Sequence, residues 1–403
     1  VGADGNPGGQ RLPWERADQD LRGRRWPHEI PIRAGGGATE RRPSAKLPSI
    51  EEDENVMMSF RGNYLGRLSL PLSSVWLIGD IGEAKGRQEL YTRQAPQLLQ
   101  ALRETALVQS VESSNRIEGV TVAPDRLLPL VLENSKPRDR SEQEIRGYRR
   151  ALDLIHTRAQ DLEISPQLFQ RLHALIQEGS GDAGKWKHVE NELLEFREGV
   201  APIVRFRPVA ASEAVGAIEE LCLSYRHTLN QDVAPPLLAT AALILDFLCI
   251  HPFRDGNGRV SRLLTLLALY QHGYEVGRYI SLERLVEESR LDYYDALLRS
   301  SQGWHENQHD LFPWLNYFLA IVKRAYKEFE RRVGQVQSPR GAKTTLVEAT
   351  VAEFPGTFTL ADLERAAPGV SRDTIRQVLR RLQKAGTVEC LGRGPGATWG
   401  KRG

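Results

Sequence analysis

Cysteine is scarce in this 403-residue chain: Cys222, Cys249 and Cys390 are few, odd in number and scattered. That argues against a disulfide framework and a cysteine-based zinc site, and makes a reducing, cytoplasmic setting the default expectation. Long apolar runs are also lacking. Even residues 237–250 are interrupted by Asp246 and fall short of the roughly 20 residues that span a bilayer, so no membrane partner is expected. Charge of one sign is missing as well. With 54 Lys+Arg against 52 Asp+Glu, a globally basic coat is excluded, while local basic patches remain open. No G-x-x-x-x-G-K-[ST] phosphate loop exists: Gly341-Ala342-Lys343-Thr344 lacks the first glycine and follows no strand. A kinase signature set is absent too. Methionine occurs only at Met57 and Met58, in a chain that begins with Val1.

What is present reads as a folded chain of two or three domains, with 40% hydrophobic and 26% charged residues. Residues 1–57 form an exception. They mix Gly, Pro and Arg with little apolar periodicity, and Asp18, Asp20, Glu29 and Glu40 are wrong for a transit peptide. A disordered extension is expected there, with the functional chain starting at Met57-Met58. Residues 58–333 are helical in pattern almost throughout. A helix starting near Ala95 carries Leu98, Leu99, Leu102 and Ala106 on one face and stops near Gly119. Ser141-x-x-Glu144 reads as a capping box, and Ser165-Pro166 as an N-cap followed by proline at the first helical position. Residues 184–208 favour a short hairpin, and helical pattern resumes over 212–230, 237–250, 259–272, 281–299 and 312–333. Residues 334–342 are polar, with Pro and Gly, and read as a linker. In 343–403 three helices, the third capped by Ser371 after the Pro368-Gly369 turn, precede a two-stranded wing. The expected fold class is therefore all-α with one short β-hairpin, plus a small C-terminal α+β domain on the winged helix-turn-helix plan.

Residues 251–262 read His-Pro-Phe-Arg-Asp-Gly-Asn-Gly-Arg-Val-Ser-Arg and join two helical patterns. Gly256-Asn257-Gly258 can expose successive backbone N–H groups at a helix mouth, an anion site suited to a phosphate chain. Arg259 and Arg262 are i,i+3 neighbours that add positive charge, and Asp255 supplies the hard oxygen that Mg²⁺ prefers beside phosphates. His251 titrates near neutrality and can take a proton. Anion nest, cation pair, metal ligand and base together describe phosphoryl or nucleotidyl transfer. Taken singly, each residue fits a plain glycine-rich turn, with His251 capping a helix and the arginines solvated.

The combined string resembles the signature of the Fic family, His-x-Phe-x-Asp/Glu-Gly-Asn-Gly-Arg-x-x-Arg, at every specified position. The resemblance runs from about residue 59 to 327 and includes the hairpin. It implies transfer of AMP from ATP to a hydroxyl side chain of a target protein, releasing pyrophosphate. By position, His251 would deprotonate the target Ser, Thr or Tyr, and Asp255 would hold Mg²⁺. Gly256, Asn257 and Gly258 would line the anion hole, while Arg259 and Arg262 would hold the phosphates. The hairpin near 187–206 would be the flap that lays the target segment in place. Transfer of another phosphate-containing group is a further option.

Upstream, Ser114-Asn115-Arg116-Ile117-Glu118-Gly119 ends a helix and, alone, reads as a C-terminus with Gly119 as its left-handed cap. Beside the signature it resembles the family's inhibitory motif, [S/T]-x-x-x-E-[G/N], in the subgroup that carries it N-terminally. The resemblance implies that Glu118 pairs with Arg262 and occludes the γ-phosphate position. In some family members this glutamate also helps remove AMP. Residues 371–403 hold eight Lys+Arg against two Asp+Glu, with Arg372, Arg376, Arg380 and Lys384 every four residues. Such a stripe suits DNA, but equally a face used for dimerisation or protein docking. Two functions stay open: an AMP-transferring enzyme bearing a winged helix, or a DNA-binding regulator whose Fic domain senses ATP. Tyr293, Tyr294, Trp304 and Trp314 are expected to be packing residues.

Overall fold

The computed structural model describes residues 58–401 apart from 95, 134, 196–202, 335–341, 355, 368, 369, 393 and 395. The expected N-terminal extension, most of the expected linker and the Pro368-Gly369 turn lie outside the described residues. The unit described is the one running from Glu52 to Gly403.

Its helices, in chain order, begin with α1 (Tyr64–Arg67), α2 (Leu72–Gln94), α3 (Pro96–Ile117), α4 (Pro124–Leu132), α5 (Arg140–Arg158) and α6 (Pro166–Ile176). A hairpin of β1 (Leu193–Glu195) and β2 (Ile203–Phe206) follows, antiparallel, with Leu193 opposite Phe206 and a register shift after Leu193. Then come α7 (Ala214–Asn230), α8 (Pro236–Ile250), α9 (Asn257–Gln271), α10 (Leu282–Glu288), α11 (Arg290–Ser301) and α12 (Phe312–Gly334). Among the described residues no helix is long and apolar enough to cross a membrane.

The core is built around α8, whose sequence is apolar on every face and which is buried nearly throughout. Its one acid, Asp246, is fully buried and fully used. It accepts from the Ser59 hydroxyl at 2.6 Å, the Ser59 N–H at 3.1 Å and Trp304 Nε1 at 2.7 Å. These bonds tie the start of the described chain to the centre of the fold. Burial outweighs them and pushes the Asp246 carboxyl up to about 6. α5 and α6 approach closely at Gly147, where a Cβ would collide with the carbonyl of Leu175. α9 packs against both α8 and α5, so both sides of the 251–262 turn are fixed by buried helices.

Some expected boundaries move. Helix α5 starts at Arg140, capped by Asp139, whose side chain accepts from the Glu142 N–H at 2.8 Å. Asp139 reaches the free N–H groups first, so Ser141 and Glu144 form no capping box and Glu144 is left for another partner. The single helix expected over 281–299 is two, α10 and α11, broken at Ser289, whose hydroxyl bonds the Leu285 carbonyl at 2.9 Å and Tyr317 at 2.9 Å. The Ser165 cap of α6 is present as expected.

The C-terminal module comprises α13 (Ala342–Glu353), β3 (Phe358–Thr359), α14 (Leu360–Ala366), α15 (Arg372–Lys384), β4 (Val388–Cys390) and β5 (Thr398–Lys401). Ile375, Val378 and Leu379 of α15 meet Leu346, Val347, Leu363 and Val388 in its core. The expected pair of strands is joined by a third, giving the order β3-β5-β4. α13 also packs on α3, the helix that leads to Glu118.

Candidate active site

The turn between α8 and α9 is held in a conformation that costs free energy. His251 ends α8 in the left-handed region (φ 50°, ψ 60°), where a non-glycine residue carries roughly 1–3 kcal/mol of strain. Gly256, also left-handed (φ 81°), caps the start of α9. Asn257 is buried and braces the turn from within: its Oδ1 accepts from the Phe253 N–H at 3.0 Å and its Nδ2 donates to the Phe253 carbonyl at 2.8 Å. Backbone N–H groups at the mouth of α9, with the helix dipole behind them, remain the natural anion acceptors.

His251 has its Nδ1 3.2 Å from the Leu248 carbonyl. A carbonyl only accepts, so Nδ1 carries the proton and the Nε2 lone pair is left to act as a base. Burial, reinforced by the Lys187 ammonium, lowers its pKa to about 4, against the opposing pull of the Leu248 carbonyl, Glu118 and Asp255. The ring is therefore neutral at pH 7.

Asp255 stands at the mouth with its side chain 65% exposed. Its Oδ1 accepts from the Gly256 N–H at 2.7 Å and its Oδ2 from Gln177 Nε2 at 3.0 Å. Among the described residues no group of three His, Cys, Asp or Glu side chains forms a ready metal cage. One exposed carboxylate beside an anion site still fits Mg²⁺, which takes one or two protein carboxylates and completes its shell with phosphates and water.

The two arginines lie in different surroundings. Arg259 is 1% exposed; its Nη1 pairs with Glu144 and its Nη2 lies 3.4 Å from Asp255. Arg262 donates from Nε to the Ser114 hydroxyl (2.9 Å) and from Nη2 to the Ser114 carbonyl (2.8 Å) and Glu118 Oε1 (2.8 Å). Among the described residues its buried Nη1 finds no hydrogen-bond partner. Glu118 lies over Gly258 so closely that a Cβ there would collide with Oε1. The carboxylate thus rests on the N-terminal mouth of α9, beside the Arg262 guanidinium. Gly119 takes the left-handed conformation (φ 79°) that ends this segment.

Several residues that sequence reasoning passed over support this arrangement. His173 Nδ1 accepts from the Gly184 N–H and Nε2 donates to the Asp255 carbonyl, both at 3.0 Å, while its ring stacks on Phe253 at 3.9 Å. Burial lowers its pKa to about 4. His173 and Gln177 are i,i+4 neighbours at the end of α6, a spacing that could have flagged them as one functional face. Beneath Arg262, Tyr148 and Ser110 both donate to the buried Glu283. Tyr293 is buried against Trp314 and Tyr317, as expected of packing. The basic stripe stands apart from the site: Arg372, Arg376, Arg380 and Lys384 are exposed along α15, the first two paired with Glu364 and Asp373.

Comparison with known proteins places this site in a family context. The Fic/DOC family matches residues 163–269, which include the hairpin and the whole 251–262 turn. The protein adenylyltransferase fic-1 of Caenorhabditis briggsae is 27% identical over 139 residues, 34% of this chain and 24% of the relative. The chain thus spans about a quarter of that relative's length. A Fido domain-containing protein of Dictyostelium discoideum is 35% identical over 105 residues, 26% of this chain and 66% of the relative. In fold, the chain is similar to a Fic family protein of Desulfovibrio desulfuricans, with a TM-score of 0.54 at 22% identity over 83% of this chain and 98% of that one.

Proposed function

Since residues 163–269 are a Fic/DOC family domain, we propose that the chain is a protein adenylyltransferase, moving AMP from ATP to a Ser, Thr or Tyr hydroxyl of a target protein or of itself. The observation that carries this reading is a neutral His251, its Nδ1 turned to the Leu248 carbonyl, five residues before the Gly256 that caps the start of α9. In the proposed reaction Nε2 takes the hydroxyl proton as the oxygen bonds to the α-phosphorus. The bond from that phosphorus to the bridging oxygen breaks, and pyrophosphate leaves. The N–H groups at Gly256–Gly258 and the spare Nη1 of Arg262 would receive phosphate oxygens. Arg259, locked to Glu144, would contribute a fixed field. Asp255 would hold Mg²⁺, which when bound neutralises phosphate charge.

The reading includes a brake. Glu118 sits on Gly258 and pairs with Arg262, so a phosphate chain must displace a partly buried carboxylate to reach the same donors. Glu118→Gly should raise transfer about tenfold or more, an amount equivalent to about 1.4 kcal/mol of lost competition. ATP labelled at the α- or γ-phosphate separates the chemistry: the α-label should enter protein and the γ-label should not. Equal labelling by wild type and Glu118→Gly would remove the brake; protein labelling by the γ-phosphate would remove AMP transfer.

A second reading, in which the C-terminal module binds DNA in the winged-helix manner and the Fic domain senses ATP, draws support from the exposed basic stripe of α15. A salt-dependent DNA shift without nucleotide transfer would favour it.

A further inference from the structure

Lys187 lies in the segment between α6 and the hairpin, and almost everything it touches flanks His251. Its backbone N–H donates to the Pro252 carbonyl at 2.8 Å. Its Nζ donates to the Ile250 carbonyl at 3.2 Å and to Asn191 Oδ1 at 2.9 Å. Asn191 in turn donates to the Phe253 carbonyl at 3.2 Å. The carbonyls of Ile250, Pro252 and Phe253, which bracket the histidine, are thus held from one side by Lys187 and Asn191. The lysine is only 4% exposed although it carries a hydrophilic head, so its position is enforced by these partners rather than by solvent.

We propose that Lys187 is the positioning residue of the His251 base: its ammonium caps the carbonyl immediately before the histidine, sustains the left-handed turn and places a positive charge beside the ring. This rests on the transfer reading above and adds to it the residue that prepares the base. The capped carbonyl is one of the last of α8, where four carbonyls lack helical partners and the dipole is negative. The cation offsets that field and adds to burial in disfavouring the imidazolium. The charged groups that act on the ring are Glu118, just past the end of α3, and Asp255 from the turn, both favouring imidazolium, and Lys187, opposing them. Burial lowers the lysine's own pKa to about 8, partly restored by Glu190, so its charge is present at pH 7 and is lost as pH rises through 8.

Three substitutions at this position separate the donor from the charge. Lys187→Gln keeps a donor for the Ile250 carbonyl but removes the charge. Lys187→Arg keeps the charge. Lys187→Met removes both donor and charge while keeping an apolar stem.

The test reads the imidazole itself, by NMR titration of protein labelled at histidine, with the His251 signal identified by its loss in His251→Asn. In wild type the midpoint should lie well below the ordinary 6.5, near 4, because of burial. Lys187→Gln should raise it by about one pH unit, the size expected for removing one nearby charge, and Lys187→Arg should leave it in place. Lys187→Met should raise it likewise and, by releasing the turn, lower kcat for transfer about tenfold with KM for ATP unchanged. An unmoved midpoint in Lys187→Gln, or an equal rise in Lys187→Arg, overturns the proposal. Should Lys187→Met not fold, Lys187→Gln still decides. A moved midpoint in a protein that transfers no AMP would leave the Lys187 assignment standing and sink the transfer reading alone.

Discussion

Arg259 and Arg262 on α9 are buried against carboxylates, whereas Arg372, Arg376 and Arg380 on α15 stand in solvent. Both sets follow helical spacing, yet they face different energetics. A buried guanidinium is tolerable only with partners close at hand, which here are Glu144 for the first arginine and Ser114 with Glu118 for the second. An exposed one needs none, and its surface pairs contribute little. Fixed partners make a geometry in which chemistry can be done; solvated charge offers attraction without geometry. The same contrast divides the two buried arginines. Glu144 is 8% exposed and belongs to the frame, whereas Glu118 is 28% exposed and reaches solvent.

The sharpest way to break the comparison is to remove the carboxylate of the frame. Glu144→Ala would leave Arg259 charged and nearly solvent-free, a change expected to destabilise the protein by about 3–5 kcal/mol in denaturant unfolding. A loss below 1 kcal/mol would mean that Arg259 finds water or Asn115 as a substitute and that the frame is softer than its burial implies.

Acid offers a second, smaller contrast. Burial holds His173 and His309 at about 4, well below their ordinary value near 6.5, and no histidine occurs after His309. Between those values the unfolded chain binds more protons than the folded one, so stability is complete above 6.5 and falls as pH drops toward 4. Each of the two should cost about 1–2 kcal/mol by pH 5. Asp246, raised to about 6, works the other way, since the folded state holds its proton in the window between that value and the ordinary 3.8. The net expectation is loss of protection in α8 and α9 before α15 as pH falls from 7 to 4.5, read by hydrogen exchange. Simultaneous loss would show that packing of α13 on α3 makes the two regions one cooperative unit.

The legible part of the site was the part that is contiguous. His251, Asp255, the 256–258 turn and the two arginines lie within twelve residues, so their nearness to one another can be read from order alone. Glu144, His173, Gln177 and Lys187 come from other elements, and each residue type has an ordinary surface role in isolation. Only the packing of α5, α6 and the pre-hairpin segment onto the turn gives them their roles. The helical character of the chain was legible from apolar periodicity. β3 was not, because two residues carry no period, and the break at Ser289 was not, because it depends on Tyr317 from α12.

The smallest expected effect belongs to the exposed arginines. Replacing Arg376 and Arg380 by Ala removes charge from a solvated face and should change stability by no more than about 0.5 kcal/mol each. If the stripe tracks phosphates, each loss should lower the salt dependence of DNA binding by about one unit of slope, uniformly across sequences. A destabilisation of about 2 kcal/mol would place these side chains in the frame with Arg259, against the exposure that distinguishes them. An unchanged slope together with unchanged stability would make the stripe a solvated face that contacts no nucleic acid.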